Sequence, residues 1–345
     1  MFKEDFSTII KKVRITSGVI LFAYVIMHLL NHSLNIISIE LAEKMRENYF
    51  RVIWQNPIGL TLLYFSLIAH LILGFASILT RKSFKLNARE WVQIIFPVLA
   101  LLFLAQHIAI SFMLTKIFGG EESYPLFFAA MNTEKPSDLI MGAILFSLMT
   151  IFIWVHGVIG LDSFLKQQAT NNNRFLIYTR YPAIFKFIYW FVPVTAVLGW
   201  LSGLRNMSFI AQIQSIENSI STENYLFSVI MKYIPQEAVP VIMQVEPLVM
   251  KYYPLFVLLV ILAVIFNVLR AKYFGRLVIN YPGGLSVSVA KGTTILEASR
   301  IGKIPHQSVC GGRGRCTTCR LKVLSHEGEI PKPNFHEIKA IERVG

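Results

Sequence analysis

Long apolar stretches, separated by short polar segments, make up the first three quarters of the chain. Six of them reach about twenty residues, the length that an α-helix needs to cross a hydrocarbon core of about 30 Å. We predict membrane-spanning helices at Ile15–Ile37, Ile58–Leu79, Trp91–Ile117, Leu139–Leu161, Phe185–Leu204 and Val249–Leu269. Together they predict an all-α six-helix transmembrane bundle over residues 1–272. The long connection after span five contains Tyr225–Ile234, which predicts a short amphipathic helix on the outer membrane surface.

The pattern changes after the sixth span, where apolar and polar residues alternate and glycines and arginines become frequent. This alternation predicts a second domain over residues 276–345, with a small mixed β-sheet and a helix. Its predicted elements are strands at Arg276–Tyr281 and Leu285–Val289, a helix capped by Thr294 that runs through Arg300, and a strand at Cys319–Leu324. Pro282-Gly283-Gly284 is typical of a hairpin turn, and Glu297 completes a capping box with Thr294.

Composition agrees with the membrane assignment, and charge orients the spans. Hydrophobic residues make up 54% of the chain and charged residues only 15%, whereas soluble domains carry about 25% charged residues. The net charge of +13 is concentrated in the N-terminal tail and in the loops after spans two, four and six. By the positive-inside rule both termini are cytoplasmic, as expected for a multi-pass membrane protein. Because no nucleic-acid motif accompanies the basic residues, we expect a lipid bilayer and not nucleic acid as the partner.

Five of the eight histidines fall inside the predicted spans, where an ionisable side chain is costly and marks a candidate functional site. They are His28, His32, His70, His107 and His156. At 1.5 Å of rise per residue, His28 and His107 lie roughly 20 and 24 Å from the cytoplasmic ends of their helices. On the same scale, His70 and His156 lie roughly 14 and 8 Å from theirs. The depths predict an outer pair on spans one and three and an inner pair on spans two and four.

Facing histidines on the helices of a bundle can hold haem iron from both sides, and two pairs at different depths favour two haem groups over one. His32 lies one helical turn beyond His28 and can replace it as the outer ligand. For any single histidine, the alternative is a neutral imidazole bonded to a neighbouring helix. A mononuclear metal site is a further alternative, but the different depths and the absence of carboxylates from the predicted spans disfavour it.

The three cysteines of the chain lie within ten residues of each other, so they predict metal ligation in a reducing compartment and not a disulfide framework. The segment contains the cysteines Cys310, Cys316 and Cys319 and the loop glycines Gly311, Gly312 and Gly314. Thiolates hold iron–sulfur clusters, and glycines let the backbone wrap closely with its N–H groups toward the sulfur atoms. A zinc site can use a Cys-x-x-Cys pair, but it does not need this glycine-rich wrap.

The cysteine segment resembles the adrenodoxin-type [2Fe–2S] ferredoxins, and the resemblance covers about Arg276 to Gly345. It implies a ferredoxin-like (β-grasp) domain with the three cysteines as cluster ligands. The family uses a fourth cysteine a few tens of residues after the third, and this sequence stops before one. We therefore expect a fragment of a longer gene product, truncated before the fourth cysteine. The alternative is that His326 or His336 completes the site, as histidines do in Rieske clusters.

The first span, from Arg14-Ile-Thr-Ser-Gly18 to His28-Leu-Leu-Asn-His32, is similar to the first helix of the succinate dehydrogenase and fumarate reductase cytochrome b anchors. This resemblance implies haem b and a nearby quinone site, for which Arg14 and Ser17 are candidates. Six such spans followed by an adrenodoxin-like domain resemble the N-terminal half of certain bacterial class III adenylate or guanylate cyclases. That resemblance implies a multi-pass protein of the bacterial inner membrane, with a cyclase domain in cis, that forms a homodimer. It assigns no catalytic residue to this chain.

Three functions are consistent with these features. The first is a redox-sensing and electron-transfer module, with haem b and a [2Fe–2S] cluster, that regulates an adenylate cyclase domain beyond this chain. The second is a stand-alone membrane-bound ferredoxin-type subunit that exchanges electrons with quinone. The third is a plain anchor whose cofactors are vestigial.

Overall fold

The computed structural model describes residues 6–81, 84, 86–133, 135–171, 182–273, 276–309, 317–328, 330, 333 and 335–344. Within these ranges the chain is mainly helical, with a two-stranded sheet after the last long helix. The chain separates into two compact units. One comprises Met1–Arg14, Leu71–Leu86 and Leu258–Gly345, and the other comprises Ile15–His70 and Asn87–Val257.

The described helices include short ones between and after the long apolar ones. They are α1 (Phe6–Ser33), α2 (Ile39–Met45), α3 (Arg51–Trp54), α4 (Pro57–Leu79), α5 (Ala88–Phe112), α6 (Tyr124–Asn132), α7 (Pro136–Asn171), α8 (Pro182–Glu217), α9 (Thr222–Tyr233), α10 (Val239–Tyr273), α11 (Ile295–Ile301) and α12 (Phe335–Val344). Short 3₁₀ or π turns flank some of them, at Leu34–Ile36, Arg46–Phe50, Met113–Ile117 and Gln236–Ala238.

Six helices in the described part of the chain are long and apolar enough to cross a membrane, namely α1, α4, α5, α7, α8 and α10. The predicted six-helix arrangement is confirmed at this level. The last two candidate spans are longer than predicted, since they cover Lys186–Glu217 and Gln236–Tyr273. Helical hydrogen bonding continues beyond the apolar residues into polar ones, so a prediction from hydropathy alone makes these helices too short.

Prolines interrupt the hydrogen-bond ladder inside three of these helices. They are Pro97 in α5, Pro193 in α8, and Pro247 and Pro254 in α10. Proline has no backbone N–H, so the carbonyl four residues earlier loses its usual helical donor. Inside a bilayer no water replaces that donor, and the carbonyl has to find a partner within the protein.

The helices α1, α7 and α8 pack around a cluster of buried apolar side chains. These are Phe22, Leu29, Trp154, Val192 and Ala196. Gly157 of α7 permits the close approach to α1, because a Cβ in its place would overlap the Phe22 ring. Such contacts matter because spans in lipid are held together by close packing and hydrogen bonds more than by the hydrophobic effect.

Three short helices, α2, α6 and α9, pack with α8 into a second apolar cluster. Each begins after a serine, Ser38, Ser123 or Ser221, whose side chain accepts a backbone N–H of the first turn. Of the three, the sequence predicted only α9, and the helix is present. Its apolar face packs on protein, because Leu226 is buried against α6 and α8. Its position on the outer membrane surface stays a prediction.

The two predicted strands form an antiparallel hairpin, β1 (Arg276–Tyr281) and β2 (Leu285–Ala290). Gly283 and Gly284 adopt left-handed conformations in the turn, with φ of 86° and 78°, which glycine reaches without a steric penalty. The hairpin prediction is confirmed.

The predicted capping box also forms at the start of α11. The Thr294 side chain accepts the backbone N–H of Glu297, and the Glu297 side chain accepts that of Thr294. The helix packs on the hairpin through Ala298, which is buried with Val287 and Val289. These residues form the apolar core of the described part of the domain.

The predicted strand at Cys319–Leu324 is wrong, because the described residues there carry no strand hydrogen bonding. Leu321, Val323 and Leu324 are exposed instead. An alternating segment becomes a strand only when a neighbouring strand accepts its backbone groups. Among the described residues, β1 and β2 pair with each other alone.

Candidate functional site

The five intramembrane histidines come from four helices and form two groups. His28 and His32 lie on α1, His70 on α4, His107 on α5 and His156 on α7. The rings of His28 and His107 have centroids 6.0 Å apart, and those of His70 and His156 have centroids 6.1 Å apart. The structure thus brings together the two pairs that the depths predicted.

The pair of His70 and His156 is oriented through hydrogen bonds to Nδ1. His156 Nδ1 lies 3.2 Å from the backbone oxygen of Gln93, and His70 Nδ1 lies 3.4 Å from the Ser17 hydroxyl. A carbonyl oxygen only accepts, so His156 carries its proton on Nδ1 and keeps the lone pair on Nε2. The ring planes of the pair are inclined by 77°. The sequence proposed Ser17 for a quinone, and the structure places it against a histidine ring.

Gly18 lies directly under the His70 ring. A Cβ at this position would lie 2.8 Å from His70 Cε1 and 3.2 Å from Nδ1, closer than ordinary contact allows. The absence of a side chain therefore makes the space that the imidazole occupies. Ser17 and Gly18 together fix the position of the ring from α1.

The pair of His28 and His107 lies among aromatic rings. Tyr24 stacks on His28 at 5.6 Å between centroids, and Phe50 lies at the same distance from it. The two histidine planes are inclined by 48°. The site is apolar on these sides, in contrast to the hydroxyl and carbonyl that face the other pair.

His32 shares a hydrogen bond with His28, since their Nε2 atoms are 3.1 Å apart. Its ring also meets the ring of Tyr124 edge-on, at 5.4 Å between centroids. Tyr124 in turn accepts a hydrogen bond of 2.7 Å from Asn31. His32 is therefore part of a polar cluster at the end of α1, whereas the His28 ring faces that of His107.

A buried carboxylate lies within the fourth candidate span. The fourth candidate span extends to Leu165 and so includes Asp162, which is buried and paired with Arg89 of α5. The expectation that the spans lack carboxylates was wrong, because the predicted span ended at Leu161, four residues before the end of the candidate span. The ion pair joins the two helices that also carry Gln93 and His156. No group of three or more potential ligands is placed to hold a single metal ion in the part of the chain that the structure describes.

The cluster-binding segment is only partly within the described residues. Cys310, Cys316, Gly311, Gly312 and Gly314 lie outside them. Cys319 is described and half-buried. Two residues before it, Thr317 has a left-handed φ of 57°, and the adjacent Thr318 hydroxyl accepts the backbone N–H of Val309 at 3.1 Å.

A chain of hydrogen bonds through the buried Ser299 connects the hairpin to Cys319. Tyr281 bonds to Ser299 at 2.9 Å, Ser299 to His306 Nδ1 at 2.8 Å, and His306 Nε2 to the Cys319 carbonyl at 3.1 Å. Ser299 has no solvent exposure. Sequence reasoning missed Ser299 and His306, and no spacing to the cysteines marks them. Through His306 they contact the backbone of Cys319, a predicted cluster ligand, from the side of α11.

The structure gives little support to His326 or His336 as a fourth cluster ligand. His326 Nδ1 lies 2.8 Å from the Gly328 carbonyl, so it makes a local turn contact. The side chain of His336 lies outside the described residues. A histidine ligand in place of the fourth cysteine stays a prediction.

Comparison with known protein families identifies one domain. Residues 279–343 match the family described as the 2Fe-2S iron-sulfur cluster binding domain. The match contains all three cysteines, supports a [2Fe–2S] cluster and suggests iron–sulfur electron transfer. No curated protein and no solved structure matches the chain.

Proposed function

We propose that the chain is a membrane redox module that carries haem b in its bundle and a [2Fe–2S] cluster in its C-terminal domain. The proposed haem ligands are His28 with His107 and His70 with His156, and the proposed cluster ligands are Cys310, Cys316 and Cys319. Haem iron and the cluster, when bound, each supply one-electron transfer.

The observation that carries the haem proposal is the separation of the histidine rings. A metal–nitrogen bond of about 2 Å and an imidazole radius of about 1.1 Å put two ligands on opposite sides of one iron roughly 6 Å apart, centroid to centroid. The observed separations are 6.0 and 6.1 Å. Two histidine pairs face each other across helix interfaces at this separation, one between α1 and α5 and one between α4 and α7.

The surroundings of the His70–His156 pair also fit ligation. Metal-binding histidines usually donate their other ring N–H to a carbonyl, carboxylate or water, which fixes the tautomer and raises the basicity of the ligating nitrogen. His156 has this arrangement with the Gln93 carbonyl. Gly18 clears the space for the partner ring.

The hydrogen bond between His28 and His32 uses the Nε2 atoms of both rings. Whichever of the two binds iron through Nε2 has to give up this bond. We assign ligation to His28, since its ring faces His107, and we assign to His32 a role beside it. The alternative assignment to His32 requires that ring to displace His28.

The order of the domains suggests how such a module is used. We propose that the redox state of the bundle and of the cluster regulates an adenylate cyclase domain in cis, with the quinone pool as the source of electrons. The support is the resemblance of the first span, Arg14 to His32, to the cytochrome b anchors, and the succession of six spans and a cluster domain. The second candidate, a stand-alone electron-transfer subunit, draws equal support from the match to the cluster-binding family.

The test is to purify the full-length gene product from membranes in detergent and to record its spectra. We expect b-type bands in the reduced-minus-oxidised spectrum, two haem groups per chain in the pyridine assay, and a [2Fe–2S] signal by electron paramagnetic resonance of the reduced protein. Absence of the b-type bands after haem supplementation would contradict the haem proposal. Cyclic nucleotide formation that changes with reduction by a quinol analogue supports the regulatory role. Reduction without any such activity supports the electron-transfer subunit.

A further inference from the structure

Two ring N–H groups of α7 donate to backbone carbonyls of the neighbouring helices. His156 Nδ1 lies 3.2 Å from the carbonyl oxygen of Gln93 on α5. Trp154 Nε1 lies 2.5 Å from the carbonyl oxygen of Tyr189 on α8. In a regular α-helix each of these carbonyls would already accept the N–H of the residue four positions later.

In both helices the residue four positions later is a proline. Pro97 follows Gln93 by four residues, and Pro193 follows Tyr189 by four. Neither proline has an N–H to donate, so each leaves its carbonyl without the helical partner. An unpaired carbonyl in a membrane interior is costly, and in each case a ring on α7 supplies the missing donor.

The two bonds hold opposite sides of α7. Residues 154 and 156 are two positions apart, which corresponds to a rotation of about 200° around a helix of 3.6 residues per turn. Trp154 is buried in the cluster shared with α1 and α8, and His156 faces α5 and the His70 ring. Rotation of α7 about its own axis would break both bonds, so the pair fixes the direction in which the imidazole points.

We propose that Pro97 is a positioning residue for His156: by freeing the Gln93 carbonyl, it holds the imidazole in the Nδ1–H tautomer and directs Nε2 toward His70. Pro193 is its counterpart on the other side of α7. The consequence for metal binding rests on the proposed haem function, whereas the consequence for the tautomer does not. If the Gln93 carbonyl were bonded within its own helix, it would not determine which ring nitrogen of His156 carries the proton.

The variant that tests the proposal is Pro97→Ala in the full chain. Alanine restores an N–H at position 97, which competes with His156 for the Gln93 carbonyl, and it favours the helix. The matched control is Pro254→Ala, which also replaces a proline inside a candidate span. No histidine lies on that helix. A second variant, Pro193→Ala, tests whether Pro193 likewise frees the Tyr189 carbonyl for the Trp154 indole N–H.

The first readout does not depend on haem. In protein prepared without haem and labelled with ¹⁵N in the histidine rings, the His156 signals are assigned by difference from His156→Gln. We expect the Nδ1–H tautomer in the parent chain and in Pro254→Ala. In Pro97→Ala we expect the ratio of the Nδ1–H to the Nε2–H tautomer to fall roughly fivefold to tenfold, the effect of losing one neutral hydrogen bond. Pro193→Ala should shift the indole N–H resonance of Trp154.

The second readout uses protein loaded with haem. We expect Pro97→Ala to shift the midpoint potential of one haem and to leave the other unchanged. A changed tautomer in a chain that binds no haem would support the positioning role and refute the haem proposal. Two bound haem groups with the tautomer and both potentials unchanged in Pro97→Ala would overturn the positioning role and leave the haem proposal in place. An equal change of the tautomer ratio in Pro254→Ala would also overturn the positioning role of Pro97.

Discussion

Replacing Gly18 by valine tests whether the position of His70 determines cofactor binding. A Cβ at residue 18 lies 2.8 Å from His70 Cε1, and ordinary contact begins at 3.4 Å. The ring therefore has to move by about 0.6 Å for the Cβ alone, and farther for the methyl groups of valine. Metal–ligand distances tolerate only about 0.2 Å. The Ser17 hydroxyl is already 3.4 Å from Nδ1, so the same movement removes that hydrogen bond.

We expect Gly18→Val to lower the haem content from two groups to one and to cost about 1–3 kcal/mol of stability from overpacking. The measurements are the pyridine haem assay and thermal unfolding in detergent. Gly74→Ala on α4 is the matched control, because a Cβ there meets no described atom within 4 Å, and we expect two haem groups. Two haem groups with unchanged potentials in Gly18→Val would refute the assignment of His70 as a ligand.

The remaining predictions separate the cofactors from one another. His107→Ala should remove one haem and leave the other, whereas loss of both or of neither would contradict the pairing. Cys319→Ser should abolish the [2Fe–2S] signal and leave the b-type bands, and loss of the bands as well would show that the two regions do not load independently. Ser299→Ala removes the buried hydroxyl that bonds to Tyr281 and to His306 Nδ1, so it should destabilise the cluster domain by about 1–3 kcal/mol. Thermal unfolding of the parent and the variant measures that loss, and an unchanged midpoint would mean that this chain of hydrogen bonds does not stabilise the domain.

The sequence predicted the six long helices because a bilayer imposes a length on every span. It did not predict α2, α3 or α6, which are too short for a hydropathy signal of membrane-spanning length. Their start signals are visible in retrospect, since Ser38 and Ser123 each cap a helix. A serine cap is too common to identify a helix without an apolar repeat behind it. The strand expected at Cys319–Leu324 failed for a related reason, because alternation describes a side-chain pattern and not the presence of a partner strand.

The histidine pairs could be predicted because helical rise converts position in a span into depth. His28 and His107 sit at one depth and His70 and His156 at another, and the structure brings each pair to about 6 Å. Their hydrogen-bond partners could not be predicted in the same way. The Gln93 carbonyl is a backbone atom, and its availability depends on where α5 and α7 meet as well as on a proline. The sequence shows the proline, but only the packing of the helices shows which side chain donates to the carbonyl that the proline leaves free.

The two pairs lie in different surroundings, and the difference predicts the order of their reduction potentials. His156 donates Nδ1–H to a carbonyl, which makes its Nε2 a stronger electron donor and stabilises oxidised iron. His28 stacks on Tyr24 and packs on Phe50, and apolar surroundings disfavour the more positively charged oxidised state. Both effects place the potential of the His28 pair above that of the other. In a potentiometric titration we expect two waves, of which His107→Ala removes the higher. Removal of the lower wave would show that the charge of the wider surroundings, and not the partners of the rings, sets the order.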